Sequence, residues 1–348
     1  MKICMVVPDR LVKGGIASVV NGYREHDFGG KCEVNYIESY RNGSKWEKLT
    51  KALKGYLLFF REMTLNKPDI VHIHSSFGPS FYRKMPFIYM ACFRGVPVIN
   101  HIHGAEFETF YLKASDRKKR RIRKVYGKCT MLIALSEEWK RNLESVVSPE
   151  KITVIENYCK IPDLSGTEKK KQILFLGEIG KRKGCYDIPE IYGRVLEKGE
   201  RLPLIMAGDG ELAEVKKLFE DRDLLESVSF PGWVRGADKD KCLKESGIFL
   251  FPSYYEGMPM AVLEAMAYGM AIVTTRVGGI PHLLEDGVSG YLCEPGDIEG
   301  LSKRLLELSK DGDKRRKMGE RARQKAIADY SMESHIKKLM DLYDRVKG

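Results

Sequence analysis

The chain has 348 residues, 43% hydrophobic, 10% aromatic and 31% charged, a globular composition that excludes a disordered or fibrous protein and exceeds the roughly 100 to 200 residues of one domain. Its longest apolar stretches, near 56–60 and 85–93, fall short of the roughly 18 to 20 residues that cross a bilayer. The net charge of +11 is lopsided: residues 1–160 hold 28 basic and 16 acidic side chains, and residues 161–348 hold 31 and 32, so one half is built to meet something anionic.

Apolar β-rich runs at 3–7, 33–37, 69–74, 97–102, 131–135 and 152–155 predict strands, with helical patterns between them at 16–25, 46–65, 81–93, 115–126 and 137–145. Strands buried on both faces and separated by helices require right-handed crossovers and a parallel sheet. Residues 157–168, rich in Pro, Gly and polar types, mark a linker. The alternation restarts with strands at 172–176, 204–207, 227–230, 248–251, 271–274 and 290–293 and helices at 187–196, 211–219, 259–268 and 298–308. The predicted architecture is two Rossmann-like, doubly wound α/β domains, 1–160 and 168–330, facing a cleft. A charged helical tail ends in a stripe of Ile336, Leu339, Met340 and Tyr343, which predicts that 331–348 packs back on the first domain. Met1 leads directly into a strand without a secretory leader, and the eight cysteines are spread singly with no zinc spacing. The expected location is the cytoplasm.

The chemistry concentrates in residues 251–269. A buried strand ends at Phe251, a turn with Gly257 follows, and a helix is predicted from about Pro259. Backbone N–H groups of Met258, Met260 and Ala261 then face the mouth of the sheet beside a positive helix end, which is an anion site. Glu256 and Glu264 border the same place, and an ionised carboxylate accepts hydrogen bonds from two neighbouring sugar hydroxyls. On this segment alone, Glu256 as a first-turn dipole partner and Glu264 as a solvated helix residue serve at least as well.

The pair Glu256 and Glu264, followed by Ala-Met-Ala-Tyr-Gly-Met-Ala-Ile-Val-Thr-Thr-Arg-Val-Gly-Gly, resembles the donor-site block of retaining glycosyltransferases of family 4, which have the GT-B fold. The resemblance covers essentially the whole chain: Gly14-Gly15 matches the N-terminal Gly-Gly loop of the donor site, His101-Ile-His-Gly-Ala-Glu-Phe107 the acceptor-side HxG segment, and Lys183-Gly184 the lysine of the donor phosphate site. It implies that Glu256 holds hydroxyls of the donor sugar, with the Gly257 and Met258 backbone alongside. The Met260 and Ala261 amides would meet the diphosphate, and Glu264 the ribose. The Phe230-Pro-Gly-Trp-Val234 loop would read the nucleobase, and His103 would lie near donor sugar and acceptor. Lys183 would stabilise the leaving diphosphate, so that no metal or other cofactor is expected. One departure stands out. Where the family carries Gly-Arg-x-x-x-x-Lys-Gly, this chain reads Gly177-Glu178-Ile-Gly-Lys-Arg-Lys183-Gly, an acid in place of a diphosphate-binding base. Arg182 is expected to compensate and to join Lys183, Glu256 and His103 as catalytic residues.

Two His-Ile-His triplets, 72–74 and 101–103, invite a metal reading because alternate residues on a strand point the same way. No Cys, Asp or Glu at ligand spacing completes either site, so His72, His74 and His101 are expected to be structural. The strings at Asp221 and Asp223, Asp238 and Asp240, and Asp311 and Asp313 follow no first-half strand and read as solvated helix ends. Residues 113–128 hold nine positive side chains and one negative. No nucleic-acid motif accompanies them. Arg117, Lys118, Arg120 and Arg121 are expected to meet anionic headgroups on the inner face of the membrane, the plain alternative being a solvated helix face. The expected activity is that of a metal-independent, retaining hexosyltransferase of polysaccharide or glycolipid assembly. It would move a sugar from a nucleotide diphosphate sugar, UDP favoured over GDP, to a lipid-linked or glycan acceptor. The alternatives are a sugar-nucleotide epimerase of the same architecture and, because of Glu178, a catalytically silent binding protein.

Overall fold

In the computed structural model, which describes residues 1–26, 28–104 and 106–348, the chain forms two compact units: Met1–Asn157 with His335–Gly348, and Tyr158–Ser334. Ala105, inside the HxG segment, lies outside the described residues.

In the first unit, strands β1 (Lys2–Val7), β2 (Glu33–Glu38), β3 (Ile70–Ser75), β4 (Val98–Ile102), β5 (Met131–Ala134) and β6 (Ile152–Val154) alternate with helices α1 (Gly15–Glu25), α2 (Lys45–Leu65), α3 (Pro79–Phe93), α4 (Asp116–Tyr126) and α5 (Glu137–Glu144). The strands form one parallel sheet in the order β2-β1-β3-β4-β5-β6. The crossovers from β2 onward all run in one direction, so right-handedness puts α2 to α5 on one face and α1 on the other. Phe59, Phe87, Ile122 and Leu143, one from each of α2 to α5, accordingly belong to a single apolar cluster.

On the opposite face the sheet carries a ladder of imidazoles. His72 and His74 project from β3 and His101 from β4, with His103 just beyond it; centroids lie 4.5 Å apart for His72 and His74, 5.0 Å for His74 and His101, and 4.2 Å for His101 and His103. The last helix, which runs over Met332–Lys347, contributes Tyr343, whose hydroxyl is 2.6 Å from His72 Nδ1. It also contributes His335, whose Nε2 is 2.5 Å from the Tyr23 hydroxyl of α1. His72, His74 and His101 have ring nitrogens within 4.8 Å of one another. Their planes, however, are inclined by only 22°, 14° and 35°. The His72–His74 and His72–His101 pairs are stacked and the His74–His101 pair is tilted, arrangements common to buried aromatic rings.

In the second unit, strands β7 (Lys170–Leu176), β8 (Leu204–Ala207), β9 (Val228–Gly232), β10 (Ser246–Phe251), β11 (Ala271–Thr275) and β12 (Tyr291–Cys293) alternate with α6 (Ile188–Glu197), α7 (Leu212–Glu220), α8 (Gly236–Glu245), α9 (Met260–Ala267), α10 (Ile280–Leu283), α11 (Ile298–Lys310) and α12 (Gly312–Tyr330); the Met332–Lys347 helix is then α13. The parallel sheet has the order β12-β11-β10-β7-β8-β9. Successive connections leave β7 one way and β10 the other, so the carboxyl ends of these two neighbours flank a topological switch point, where open α/β sheets bind ligands. Cations stop three helices: Lys169 Nζ donates to Leu243 O of α8 at 2.6 Å, Arg315 to Leu308 O of α11 at 2.7 Å, and Arg323 to Ala267 O of α9, each against the negative helix end.

Helices α8 and α10 and a π-type turn at Glu108–Leu112 escaped the sequence pattern. In α8 only Leu243 is buried, so it has no apolar stripe to detect. The Asp-x-Asp strings fall on helices or their ends: Asp240 pairs with Lys244, and Asp311 caps α12 through the Lys314 amide.

Burial pushes the imidazoles toward the neutral form, His72 and His103 down to about 3, His335 to about 4, and His74 and His101 well below the usual value. The unfolded chain takes up these protons near pH 6.5 and the folded chain does not, so stability must fall as pH drops from about 6.5 toward 4, by roughly 1.4 kcal/mol per pH unit for each suppressed imidazole. Denaturant midpoints at pH 7.5 and 5.5 should show this loss, and His101→Leu should flatten the slope by up to about one proton. Equal slopes in parent and variant would contradict the account.

Candidate active site

Two loops meet at the second unit's switch point. The one after β7 ends in a short turn, Lys181–Lys183, closed by Gly184 at φ 70°. A Cβ at Gly184 would lie 1.9 Å from the Pro252 carbonyl oxygen, so only glycine lets this loop rest on the one that follows β10. The two are then stitched by Tyr254 N donating to Arg182 O at 2.9 Å. This contact delivers Lys183 to Glu256, Nζ to Oε1 2.5 Å, with side chains 13% and 6% exposed.

The carboxylate is held on one side only. Lys183 donates to Oε1, Ser253 Oγ donates to the same oxygen at 2.7 Å, and Arg182 Nη1 stands 3.5 Å from it. Oε2 has no hydrogen-bond partner among the described residues and remains an open acceptor beside the sheet mouth. Burial pulls the Lys183 amine below its usual range, while the charge of Glu256 opposes that shift; Lys183 also lies 4.7 Å from the centroid of the Phe251 ring.

Glu178 is 3.4 Å from Arg182 Nη2, and Nη1 of the same guanidinium is 3.0 Å from Tyr255 O. Arg182 is thus shared between the unusual acid, a backbone carbonyl and Glu256. Two bases, Lys183 and Arg182, thus meet two acids, Glu178 and Glu256.

The anion site lies alongside. Pro259 proves to be the cap, at φ −73° and ψ 121°, and α9 begins at Met260, one residue later than predicted. The N–H groups of Met260 and Ala261 have no partner among the described residues, as expected for the first turn of a helix. Gly278, whose Cβ would lie 1.9 Å from Glu256 O, and Gly279, whose N–H donates to Gly257 O at 2.6 Å, clamp the backbone on which Glu256 and Gly257 sit. The Met258 side chain is buried. Glu264, about one turn along α9, accepts from Lys239 Nζ of α8 at 2.6 Å. Val234 lies just past β9, at the sheet edge two strands from β7.

Sequence reasoning missed Ser253, Lys239 and the clamp formed by Gly278. Ser253 stands three residues before Glu256, a spacing that could have suggested a local hydrogen bond; nothing in the sequence points to Lys239, which reaches Glu264 from an unrecognised helix.

The remaining expected residues belong to the first unit. Gly14 caps α1 at φ 127°, a left-handed value that favours glycine, and Gly15 opens the helix. His103 Nε2 is 2.9 Å from His74 Nδ1. On α4, Arg117, Arg120 and Arg121 are exposed and have no acidic partner among the described residues, while Lys118 lies 4.8 Å from the centroid of the Phe110 ring.

Two family models match the chain, that of the glycosyl transferases group 1 over residues 160–325 and that of Glycosyltransferase Family 4 over residues 22–159. The chain belongs to the group 1 glycosyltransferases. Among its relatives is the UDP-Gal:alpha-D-GlcNAc-diphosphoundecaprenol alpha-1,3-galactosyltransferase of Escherichia coli, 28% identical over 85% of this chain and 80% of that one. Another is the N-acetyl-alpha-D-glucosaminyl L-malate synthase of Bacillus anthracis, 30% identical over 51% of this chain and 46% of that one. Among solved structures, HepE of Anabaena in complex with UDP and glucose aligns with a TM-score of 0.77 at 15% identity, over 99% of this chain and 100% of that one. The chain has a two-domain α/β GT-B fold.

In this glycosyltransferase the Lys183 loop depends on the absence of a Cβ at position 184. Gly184→Ala should lower unfolding free energy by about 2 kcal/mol or more, since it combines a backbone clash with a left-handed φ. Chemical denaturation checks it; an unchanged midpoint would mean the loop has another way to rest on Pro252.

Proposed function

We propose that this enzyme transfers a hexose, with retention, from a nucleotide diphosphate sugar, UDP favoured over GDP, to a lipid-linked or glycan acceptor in polysaccharide or glycolipid assembly. The observation that carries the proposal is the one-sided anchoring of Glu256. Oε1 is saturated by Lys183 and Ser253, and Oε2 is left to accept from sugar hydroxyls, next to the unpaired amides of Met260 and Ala261 for the diphosphate. Lys183 and Arg182 take up the charge that grows on the leaving diphosphate, in place of a metal ion. Glu264 is assigned to the ribose and Val234 to the edge of the nucleobase; in the first unit, Gly14 and Gly15 are assigned to the donor loop and His103 to the acceptor side. The name of the Escherichia coli relative, which specifies a UDP-sugar and a diphosphoundecaprenol-linked acceptor, and the UDP and glucose held by HepE support the choice of donor and acceptor class. Retention rests on the resemblance to family 4. The exposed Arg117, Arg120 and Arg121 of α4, with the partly buried Lys118, are assigned to anionic headgroups, which would hold the enzyme peripherally on the cytoplasmic face. Among the described residues, no helix is long and apolar enough to cross a membrane.

Transfer from a panel of labelled sugar nucleotides to lipid-linked acceptors, run with EDTA present, tests the assignment. Product should form under chelation, and Glu256→Ala and Lys183→Ala should each reduce turnover on the order of 100-fold or more. Near-parental rates in both variants would overturn the site, strict dependence on added Mn²⁺ or Mg²⁺ would overturn its metal-free chemistry, and isomerised donor without transfer would identify an epimerase.

The position of Glu178 beside Arg182 yields a second test. Glu178→Arg should tighten UDP binding several-fold at low salt, and the gain should shrink as salt rises because it is Coulombic. Arg182→Ala should weaken binding in the parent and matter less in the Glu178→Arg background. Additive effects in a calorimetric double-mutant cycle would separate the two positions.

A further inference from the structure

Helix α2 buries one side only. Ala52, Gly55, Phe59 and Met63 face the apolar cluster under the sheet, yet a second apolar stripe runs along a different side of the same helix. Trp46 is 75% exposed, Leu49 48%, Leu53 51%, Leu57 72% and Phe60 60%. Their spacings of three, four, four and three residues keep them in one row, about 21 Å long at 1.5 Å per residue. At 100° per residue the row is centred about 110° from the buried side, so it is a separate face rather than the ragged margin of the core. Tyr89 and Phe93 of α3 are exposed as well, and α3 packs on α2 through Tyr56 and Phe87 with centroids 4.8 Å apart.

The charges around this row say what it meets. Lys45, Lys48, Lys54 and Arg61 have no acidic partner among the described residues, whereas Lys51, nearer the sheet, is neutralised by Asp9 and Glu38 at 2.8 and 2.6 Å. The basic helix α4 lies on the same face of the sheet and is tied to α3 by Phe81 and Tyr126, 5.2 Å apart; Lys128, just beyond it, lies 5.4 Å from the centroid of the exposed Tyr89 ring. A second copy docked on this face would bring unpaired cations toward like charge. An anionic lipid surface neutralises the lysines and accepts the apolar row at the boundary between headgroups and acyl chains.

We propose that α2 is an in-plane membrane anchor, inserting Trp46, Leu49, Leu53, Leu57 and Phe60 into the headgroup–acyl boundary of an anionic bilayer while α4 contributes long-range attraction. The inference rests on the lipid-surface attachment assigned to α4 and adds to it an apolar component that salt does not screen.

Flotation of the full chain with vesicles of phosphatidylglycerol and phosphatidylethanolamine, at 0.1 and 0.5 M NaCl, distinguishes the two. The parent should float at low salt and keep a measurable fraction bound at high salt. Leu53→Glu with Leu57→Glu should lower the partition coefficient about tenfold or more at both salts and leave the thermal midpoint and UDP binding unchanged. Changing Arg117, Lys118, Arg120 and Arg121 to Gln should reduce binding mainly at 0.1 M. In the parent, brominated phospholipid should quench a component of tryptophan emission that is absent from Trp46→Phe. Loss from the α4 variant alone, with the α2 variant binding like the parent, would overturn the anchor and keep the charge attachment. Loss from the α2 variant alone would do the reverse. No vesicle binding by the parent would overturn both, and a lipid-free dimer dissolved by the α2 changes would assign the row to a second copy instead.

Discussion

The ion pair between Lys183 and Glu256 is the contact on which the second unit's functional end depends. Burying two charges is costly, and their mutual attraction offsets the loss of water only when the geometry is close and the other lone pairs are served. Here Ser253 supplies a further hydrogen bond to the same oxygen. The arrangement requires that two loops, leaving β7 and β10 on opposite courses, come into van der Waals contact, which Gly184 makes possible, while Gly278, on the loop after β11, lets a third segment close on the Glu256 carbonyl. Removing either partner would strand a buried charge, so position, ionisation and loop contact are three aspects of one constraint.

Most of the scaffold was legible in the residues because a parallel strand covered on both faces reads as an apolar run, and even the edge strands β2 and β9, whose burial alternates, keep enough β-rich character that all twelve strands lie within a residue or two of their expected places. The elements that stayed hidden have no such signature. In α8 a single leucine is buried, and α10 has four residues. The histidine ladder was hidden for a different reason. His-Ile-His shows that two rings share a face of one strand, but only the register that pairs His74 with His101 brings two strands' rings together, and register is a property of the sheet.

The site divides in the same way. Glu256, Lys183 and the α9 amides could be named from local sequence, because a strand end, a turn and a helix start are local events. What orients them is not local: the Ser253 hydroxyl lies within reach of both Glu256 Oε1 at 2.7 Å and the Arg182 carbonyl at 3.0 Å, 71 residues away, and Lys239 reaches Glu264 across 25 residues. The charge surplus of the first half was likewise visible from counting, but the count does not separate Lys51, neutralised by two acids, from the cations of α2 and α4 that have none.

The first unit is closed by its most distant residues. Tyr23 meets His335 across 312 positions and His72 meets Tyr343 across 271, with the entire second unit between them in the chain. During synthesis, domains ordinarily fold as they emerge, but here the first 157 residues leave the ribosome with one side of the imidazole ladder still uncovered. That face must wait for the second unit to be made before α13 can cover it. The first unit is therefore finished only after the second has been made, and a chain that stops short of α13 would leave open to protonation a sheet face that α13 otherwise covers.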